Sequence, residues 1–575
     1  MKIWKLKPNI PTELEEVYKD YPVLLRQLLF DRGLKEPEEI KKFINADYTT
    51  GLNSPFLFRD MEKAVNRIWQ AIENKEKITI YGDYDADAIT ANAVLRQAFN
   101  YLGADCESYI PDRFLEGYGV NLDALKKIKE HGSKVIITVD CGTNSVDAAE
   151  WCKENNIDLI ITDHHEIIGN LPNALALINP KNQDDNYPDD QIVGVGVAFK
   201  LAQALLQNPK SDPPAGGRNP KSSQGWEKWL LDLVAIGTVA DCHKLIGENR
   251  IFVKYGLKVL AKTKWVGLRA LMDLAKLDPA KQPLDTYSLG FVIAPRINAA
   301  GRLEHANVAL ELLLENDPLK AKIQAQNIEE INLRRQEITA RIMSEAREKA
   351  QGILHRKVLV LMGESWHKGV VGLVAGKLAE EFYKPTIVLE KGEFEATGSA
   401  RSAGEFNVVE ALKYSGQHLI RYGGHKQAAG LTLQTENFEI FYQSVLDFAE
   451  KNMEEDDGPV LNIDAELSSE DLQLTTYNLI ASLEPFGVGN PKPKFLLKNA
   501  KILSKRAVGQ KAQHLQMKIS LGNRQISCIA FNFGPKDSSL QIGQELDLAC
   551  ELLQDEWNGN KQLKLRIIDI RQLSS

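Results

Sequence analysis

The sequence predicts an α/β fold, because three short apolar runs alternate with helical stretches. The runs cover residues 77–81, 134–139 and 158–162, and their β-branched residues are typical of buried strands. Buried strands separated by helices indicate a parallel sheet. An acidic or histidine-containing cluster follows each run, and ligands of such sheets bind beyond the carboxyl ends of the strands. We therefore expect the functional site at that edge of the sheet.

Four clusters of carboxylates and imidazoles indicate a metal site. They are DYDAD at residues 83–87, VDCG at 139–142, DHH at 163–165 and AD at 240–241. Each alone is compatible with a surface loop or a helix N-cap, but so many like charges share a small space only when cations neutralise them. Asp and His donors without a thiolate favour Mn²⁺ or Mg²⁺ over zinc. Two such ions can clamp the attacking and leaving oxygens of a phosphoryl displacement.

Length and composition predict a protein of several domains without a membrane span. At 575 residues, and roughly 100–200 residues per domain, about three or four domains are expected. The sequence has no run of roughly 20 apolar residues and begins without a secretory signal. Its six cysteines are scattered without a CxxC pair, which argues against a zinc ribbon or a disulfide framework and favours the cytoplasm.

The net charge of −8 is unevenly distributed along the chain. Residues 492–575 contain 14 Lys and Arg against 7 Asp and Glu, a net +7, so residues 1–491 carry −15. This asymmetry is compatible with a polyanion partner and also with a domain that is merely basic. Alternating segments at 515–521 and 563–568 predict that this basic part is a small all-β domain, similar to an OB-fold nucleic-acid binder.

We predict five consecutive segments. A helical lead-in (1–55) precedes the α/β domain with the four clusters (56–315), which contains a polar Pro/Gly/Ser insertion at 208–223, predicted to be a mobile surface loop. A long helix (316–353) is interpreted as a connector between two lobes. A second α/β unit (354–455) is predicted to contain strands at 357–362 and 385–389 and a helix at 367–381. An acidic break then leads into the β-domain (456–575).

Two segments supply candidate phosphate contacts. Residues 295–302 (PRINAAGR) place Arg296 and Arg302 around small residues, and arginine forks match phosphate oxygens. Residues 423–430 (GGHKQAAG) are interpreted as a phosphate-facing turn that runs into a helix start. An ordinary glycine turn in front of a packed helix has the same pattern, so this alternative stays open.

In its order of motifs, the chain resembles the DHH/DHHA1 phosphoesterase superfamily. The motifs are DYDAD, VDCG, TDHH and AD, followed by PRINAAGRL, HKGVVG, SARS and GGHKQAAG. Together with the terminal β-domain they resemble the bacterial RecJ family over roughly residues 50–575. The resemblance implies a DHH lobe with a parallel sheet and a DHHA1 lobe, joined by the long helix, plus a C-terminal OB-like barrel. It also implies a 5′→3′ exonuclease that cuts single-stranded DNA to 5′-mononucleotides in repair and recombination, with two divalent ions, Mn²⁺ or Mg²⁺.

The resemblance also implies roles for individual residues. The metal ligands are Asp83, Asp85, Asp87, Asp140, His164 and Asp241. The catalytic residues are His165, which orients or protonates near the scissile phosphate, Asp140, which bridges the ions, and Arg296 and Asn298, which steady the metal face and the phosphate. The substrate-binding residues are Arg113, assigned to the 5′ phosphate, and Arg302, Ser399, Arg401, Ser402, Gly424 and His425.

The chain departs from the family pattern at two places. Ala88 replaces the usual glycine, and we expect strain and lower activity if that position has a positive φ. Cys242-His243-Lys244 follows Asp241 where the family has apolar residues and proline. We interpret His243 as a solvated or packing histidine rather than an extra ligand.

Two other functions are compatible with the sequence. One is a phosphatase for very short oligonucleotides or cyclic dinucleotides, and the other is a non-catalytic DNA-binding scaffold of the replication machinery. The expected partners are single-stranded DNA and a single-strand-binding protein or a helicase, with no membrane. The protein is expected to be a monomer.

Overall fold

The computed structural model describes residues 2–117, 119–207, 225–453, 458–557 and 560–572. The predicted loop at 208–223 lies outside the described residues, as does most of the acidic break before the β-domain. In the described part of the chain, no helix combines the length and the apolar character needed to cross a bilayer. The six cysteines are all described, and all are free thiols.

Most of the N-terminal segment packs on the C-terminal domain, and its last helix contacts the first lobe. It comprises β1 (Ile3–Leu6), α1 (Glu15–Tyr18), α2 (Val23–Phe30), α3 (Pro37–Asn45) and α4 (Tyr48–Gly51). β1 pairs in parallel with the strand Val460–Ile463. Tyr18, Leu28 and Ile40 are fully buried in the core of the C-terminal domain. The helical lead-in was therefore incompletely predicted, because the partner that buries its apolar face lies more than 400 residues away.

The first lobe is built around a five-stranded parallel sheet, as predicted. Its elements in chain order are α5 (Met61–Asn74), β2 (Lys77–Gly82), α6 (Ala86–Leu102), β3 (Cys106–Tyr109), α7 (Leu122–Glu130), β4 (Ser133–Val139), α8 (Val146–Glu154), β5 (Asp158–Thr162), β6 (Ala176–Ile178), α9 (Gly194–Gln207), α10 (Leu231–Ala240), α11 (Gly247–Leu260), α12 (Val266–Leu274), α13 (Ala294–Leu303) and α14 (Asn307–Leu314). The strand order is β3-β2-β4-β5-β6. The three predicted strands are β2, β4 and β5, so their carboxyl ends meet at one edge of the sheet.

The long helix α15 (Pro318–Gln351) follows the prediction closely. Asp317 caps its N-terminus by accepting hydrogen bonds from the Leu319 and Lys320 N–H groups, and Pro318 occupies the first turn. The helix contacts both lobes, since it packs on α13 of the first lobe and on the helix Val371–Phe382 of the second.

The second lobe has a mixed five-stranded sheet. Its elements are β7 (Leu359–Glu364), α16 (Val371–Phe382), β8 (Thr386–Lys391), β9 (Glu395–Arg401), α17 (Val408–Tyr414), β10 (Arg421–Gly424), β11 (Ala428–Gln434) and α18 (Phe438–Asn452). The strand order is β10-β11-β9-β8-β7, and only β7 and β8 run parallel. The segment 423–430 forms the β10–β11 hairpin, so the predicted helix start was wrong. Its glycines and alanines fit a tight strand pair as well as a helix, and only the pairing with β9 distinguishes the two.

The C-terminal domain contains a closed β-barrel of five strands. Its elements are β12 (Val460–Ile463), β13 (Ala465–Glu466), α19 (Leu474–Ala481), β14 (Phe495–Val508), β15 (His514–Leu521), β16 (Arg524–Ala530), β17 (Glu545–Trp557) and β18 (Asn560–Gln572). The order β14-β15-β16-β18-β17 closes because β17 pairs back onto β14. This is the architecture of an OB-like barrel, as predicted.

Arg250 on α11 joins three parts of the molecule. Its guanidinium donates to the carbonyl oxygens of Phe43 (2.8 Å), Leu483 (2.9 Å) and Pro485 (3.2 Å). The side chain is buried, and this burial lowers its pKa to about 10. The N-terminal helices and the start of the C-terminal domain are thereby held to the first lobe.

Replacing Arg250 with methionine is expected to destabilise the protein strongly. Each buried carbonyl left without a donor costs about 1–3 kcal/mol, so we expect a loss of at least about 3 kcal/mol. Thermal unfolding followed by circular dichroism measures this as a lower Tm. The half-exposed Arg59, whose nearest carboxylate oxygens lie 3.6–3.7 Å away, supplies the control Arg59→Met. Equal Tm values for the two variants would contradict the assigned role of Arg250.

Candidate metal centre and nucleic-acid cleft

The first acidic cluster forms the turn between β2 and α6. Asp85 is the N-cap of α6 and accepts hydrogen bonds from the N–H groups of Asp87 (3.0 Å) and Ala88 (3.1 Å). The N–H of Ala86 donates to Asn298 Oδ1 at 2.9 Å, which ties the turn to α13. Ala88 is buried in the first turn of α6 and does not have a positive φ. The strain expected from alanine is therefore absent, because helical backbone suits this residue.

Three carboxylates surround one imidazole nitrogen. His164 Nε2 lies 2.9 Å from Asp140 Oδ1, 3.8 Å from Asp241 Oδ2 and 3.9 Å from Asp87 Oδ2. Asp140 follows β4 with φ 58°, and this left-handed turn brings its side chain back over the sheet edge. Burial and the charge of His165 lower the pKa of His164 well below its usual value, so the ring stays neutral, the form that binds metals.

Several buried carboxylate oxygens of this cluster lack a hydrogen-bond donor. Among the described residues these include Asp83 Oδ1, Asp87 Oδ2 and Asp140 Oδ1. Burial, aided by the charge of Asp85, raises the pKa of Asp83 to about 8 and that of Asp241 to about 7. Burial also raises the pKa values of Asp87 and Asp140 well above their usual range. Unpartnered oxygens and a neutral imidazole, without a thiolate, are the donor set that Mn²⁺ and Mg²⁺ prefer, so the predicted ligands fit these ions.

His165 is held by the first residue of the Asp-His-His cluster. Its Nδ1 lies 2.7 Å from Asp163 Oδ1, and Asp163 also accepts the N–H groups of His164 (2.7 Å) and Thr143 (2.9 Å). Burial lowers the pKa of His165, but the hydrogen bond to Asp163 and the charges of Asp163, Asp241 and Asp85 together outweigh burial and raise it. Asp163 belongs to the Asp-His-His motif, but no role was predicted for it. Because it accepts three backbone N–H groups, including that of His165 at 3.1 Å, and contacts one imidazole, Asp163 is a positioning residue.

The N-terminus of α9 faces the same carboxylates. The Val195 N–H donates to Asp87 Oδ1 at 2.9 Å. A Cβ atom on Gly194 would lie 2.6 Å from both Asp140 Oδ1 and Asp87 Oδ2, so only glycine fits there. The helix dipole favours the negative charge that gathers at this point. Gly194 was not predicted as a site residue, although the Gly-Val-Gly start of an apolar helix is a visible signal.

Three arginines converge beside the predicted metal ligands. Arg113 follows β3 and lies 4.6 Å from the centroid of the Tyr84 ring, Arg302 comes from α13, and Arg401 comes from β9 of the second lobe. Burial and the charge of Arg113 lower the pKa of Arg302 to about 9 and also lower that of Arg401. Within the described ranges, none of the three has a carboxylate oxygen within 4.0 Å. Partly buried, mutually repelling cations that lack a close carboxylate in the described structure form a site for an anion such as phosphate.

A cleft of about 1050 Å³ separates the two lobes at this point. His165 and Tyr84 line one wall, and Gly424 and His425 of the β10–β11 hairpin line the other. Gly424 has φ 144°, and a Cβ there would lie 2.4 Å from the carbonyl oxygen of Ala428, so the hairpin requires glycine. The structure thus brings predicted residues of both lobes to one cleft.

Three family models match consecutive parts of the chain. They are described as "DHH family, N-terminal domain" (residues 77–238), "DHHA1 domain" (355–451) and "RecJ OB domain" (463–569). The "Single-stranded-DNA-specific exonuclease RecJ" of Bacillus subtilis is 39% identical over 553 residues, which cover 95% of this chain and 67% of that protein. The RecJ of Haemophilus influenzae is 33% identical over 565 residues, 95% of each chain. This chain belongs to the RecJ family.

Solved RecJ structures share the whole architecture. The crystal structure of RecJ in complex with Mn²⁺ from Thermus thermophilus matches with a TM-score of 0.83 and 28% identity, covering 100% of this chain and 80% of that chain. The complex of the same protein with Mg²⁺ matches with a TM-score of 0.76 and 27% identity, covering 100% and 79%. The predicted order of two α/β lobes, long helix and barrel is confirmed.

Other predicted residues of this RecJ-family site hold the walls of the cleft. Arg296 pairs with Glu329 of α15 through two contacts of 2.7 and 3.1 Å. Ser399 Oγ accepts from Arg401 Nη1 at 2.5 Å, and the Ser402 N–H donates to the Gln427 carbonyl at 2.9 Å, across to the hairpin. Contacts of Arg296, Ser399 and Ser402 with DNA stay predictions. The bonds described here show that these residues fix the surfaces around the cleft.

The buried aromatic and thiol groups of the site region belong to the core. Trp366 is 1% exposed, and its indole N–H donates to Glu345 at 2.7 Å. Cys141, next to Asp140, is buried in the hydrophobic cluster on one face of the sheet. Trp366 therefore has no exposed ring face on which a base could stack, and Cys141 is part of the core.

Proposed function

We propose that this protein is a 5′→3′ exonuclease that hydrolyses single-stranded DNA to 5′-mononucleotides with two divalent ions, Mn²⁺ or Mg²⁺. The observation that carries the proposal is the convergence, among the described residues, of buried carboxylate oxygens without donors and three arginines without a carboxylate within 4.0 Å. Buried carboxylates need cations to neutralise their charge, and clustered arginines need an anion. A phosphodiester bound through metal ions meets both requirements. The names of the RecJ relatives support this function.

The ions would supply a metal-bound water as nucleophile and neutralise charge on the phosphate. The residues that would hold them are Asp83, Asp85, Asp87, Asp140, His164 and Asp241. His165, oriented by Asp163, moves a proton at the leaving oxygen. Arg302 binds the oxygens of the scissile phosphate, and Arg113 and Arg401 together hold the terminal 5′ phosphate from the two sides of the cleft.

The β-barrel would bind the part of the strand that lies outside the cleft. Its basic surface attracts the phosphate backbone, and Phe531, 46% exposed, lies beside His514 and Arg566. An exposed ring next to a cation is a stacking surface for bases. We therefore expect binding that has little sequence preference and weakens as salt concentration rises.

In the cell, we propose a cytoplasmic monomer that acts in DNA repair and recombination together with a single-strand-binding protein or a helicase. The six free cysteines support a reducing compartment.

Timed digestion of end-labelled DNA tests the function. We expect a single-stranded 30-mer to be shortened from its 5′ end when Mn²⁺ or Mg²⁺ is present. With chelator it should stay intact, and a blunt duplex should not be degraded. Oligomers of two to five nucleotides form the second arm. A preference for these short substrates would replace the proposal with a short-oligonucleotide phosphatase, and no digestion of any substrate would favour the scaffold.

The affinity for Mn²⁺ is expected to rise between about pH 6 and about pH 8. Protons compete with metal for Asp83 and Asp241, whose pKa values are raised to about 8 and about 7. For the same reason the metal-free protein loses stability as pH rises through these values, because the buried carboxylates become charged. Isothermal titration and the Tm in chelator measure the two trends. An affinity independent of pH would contradict the raised pKa values.

Arg401→Ala is expected to weaken binding of 5′-phosphorylated DNA about 10- to 100-fold, the value of one charge-assisted hydrogen-bonded contact. Binding of the 5′-hydroxyl strand should change less, because it lacks the terminal phosphate. Fluorescence anisotropy with both strands, in chelator, measures the ratio. Arg59→Ala, on the half-exposed surface, is the matched control. A loss equal for both strands would remove Arg401 from the terminal-phosphate site.

A further inference from the structure

His243 lies against the metal centre instead of facing solvent. Its Nε2 is 3.3 Å from Asp241 Oδ2, and its ring centroid is 4.8 Å from that of His164. The side chain is 19% exposed. In the described part of the chain, His164, Asp241 and His243 each offer one ligand atom, and these atoms all lie within 4.8 Å of one another. Donors bound at about 2.1 Å to one octahedral ion are about 3.0–4.2 Å apart, so the three need move little to share an ion.

The tautomer of His243 is set by the backbone. Nδ1 lies 3.1 Å from the carbonyl oxygen of Gln191, which can only accept a hydrogen bond, so Nδ1 carries the proton. In the neutral ring, Nε2 then presents a lone pair to Asp241 Oδ2, which is also an acceptor. Once Asp241 is ionised, the two acceptors face each other at 3.3 Å, and a cation between them is what makes this arrangement favourable. A histidine that donates one nitrogen to a carbonyl and turns the other to a metal is the usual arrangement of a metal ligand.

The short loop that carries His243 is held rigidly. Cys242 has φ 56°, and this left-handed residue turns the chain so that Asp241 and His243 face the same ring. After them, the Leu245 N–H donates to the Val488 carbonyl at 2.7 Å, which anchors the loop to the C-terminal domain. Asn249 Nδ2 donates to the Gln191 carbonyl at 2.6 Å, so the oxygen that orients His243 is itself fixed.

We infer that His243 is an additional imidazole ligand of the divalent ion held by Asp241 and His164. The inference rests on the proposed metal-dependent function and adds a nitrogen donor to an otherwise oxygen-rich site. Imidazole binds Mn²⁺ better than Mg²⁺, which keeps oxygen ligands and water. His243 therefore biases one of the two positions towards Mn²⁺.

Metal binding to the full-length protein tests this inference directly. Isothermal titration with Mn²⁺ and with Mg²⁺ is done on the parent protein, on His243→Ala, and on His243→Asn, whose amide retains a donor for the Gln191 carbonyl. We expect both variants to bind Mn²⁺ at one position at least about tenfold more weakly, while the Mg²⁺ affinity changes less than about threefold. His355→Ala, at an exposed histidine that does not line the cleft, is the control.

Pulsed electron paramagnetic resonance of bound Mn²⁺ provides a second readout that does not depend on activity. The parent protein should show one more coupled ¹⁴N nucleus than either variant, whereas a histidine that merely positions Asp241 would leave the number of coupled nitrogens unchanged. The Tm in chelator checks that the variants are folded.

The outcomes separate the two proposals. Unchanged Mn²⁺ affinity, an equal loss for both ions, or an unchanged nitrogen count overturns the role of His243, even when the protein digests DNA. A parent protein that binds no Mn²⁺ and digests no DNA overturns this inference and the proposed function together.

Discussion

Asp140→Ala is expected to lower the rate of DNA hydrolysis at least about 10³-fold, equivalent to about 4 kcal/mol of transition-state stabilisation. Asp140 Oδ1 is buried, has no hydrogen-bond donor and lies 2.9 Å from His164 Nε2. Removing this oxygen takes away the donor assigned to both ions. Single-turnover digestion of 5′-labelled DNA measures the rate, and anisotropy in chelator measures binding of DNA, which should be largely retained.

The stability of this variant is an independent check on the charge of the site. Burial and neighbouring carboxylates raise the pKa of Asp140 well above its usual value, so its charged form is unfavourable without metal. The metal-free variant should therefore be at least as stable as the parent protein at about pH 8. Asp123→Ala, at an exposed carboxylate on α7, serves as the control. Hydrolysis within about tenfold of the parent rate would remove the bridging role.

His165→Ala is expected to lower the rate of hydrolysis about 10²- to 10⁴-fold, the usual contribution of a positioned acid or base. The ring lines the cleft and is held by Asp163. Mn²⁺ affinity is expected to depend on the six predicted metal ligands, which do not include His165. Titration of Mn²⁺ should therefore show nearly unchanged affinity. An equal loss of metal affinity and rate would make His165 a ligand rather than a proton carrier.

Asp163→Asn extends this prediction to the pH profile. Asp163 raises the pKa of His165, so the imidazolium form should be lost at lower pH in the Asp163→Asn variant. The alkaline limb of the rate profile is therefore expected to move to lower pH. His131→Ala, at an exposed histidine, is the control. A profile that keeps its position in Asp163→Asn would show that the pair does not govern proton transfer.

The local sequence was sufficient to predict a strand or helix wherever the interactions that determine it lie within that element. The strands β2, β4 and β5 end within one residue of their predictions, because β-branched runs of this length are unfavourable in a helix. The acidic clusters follow directly, so the sheet edge that bears the predicted metal ligands could be located. Helix α15 was predictable too, since Pro318 begins it and good helix formers continue it.

Elements with distant partners were predicted less well. The hairpin at 423–430 depends on pairing with β9, and the packing of residues 1–45 depends on the barrel. No local sequence pattern reveals either partner. The part played by Ala88 was misjudged because the helix begins before it.

For this protein, the sequence by itself determined the two lobes and the barrel and supplied the predicted metal ligands, because hydrophobic periodicity and donor chemistry are properties of short segments. The tertiary structure decided which way those ligands face and what supports them. Gly194, Asp163 and His243 reach the centre from α9, from the end of β5 and from the loop after α10. Their roles arise from distances between residues remote in the chain, and such distances exist only once the sheet and helices have packed.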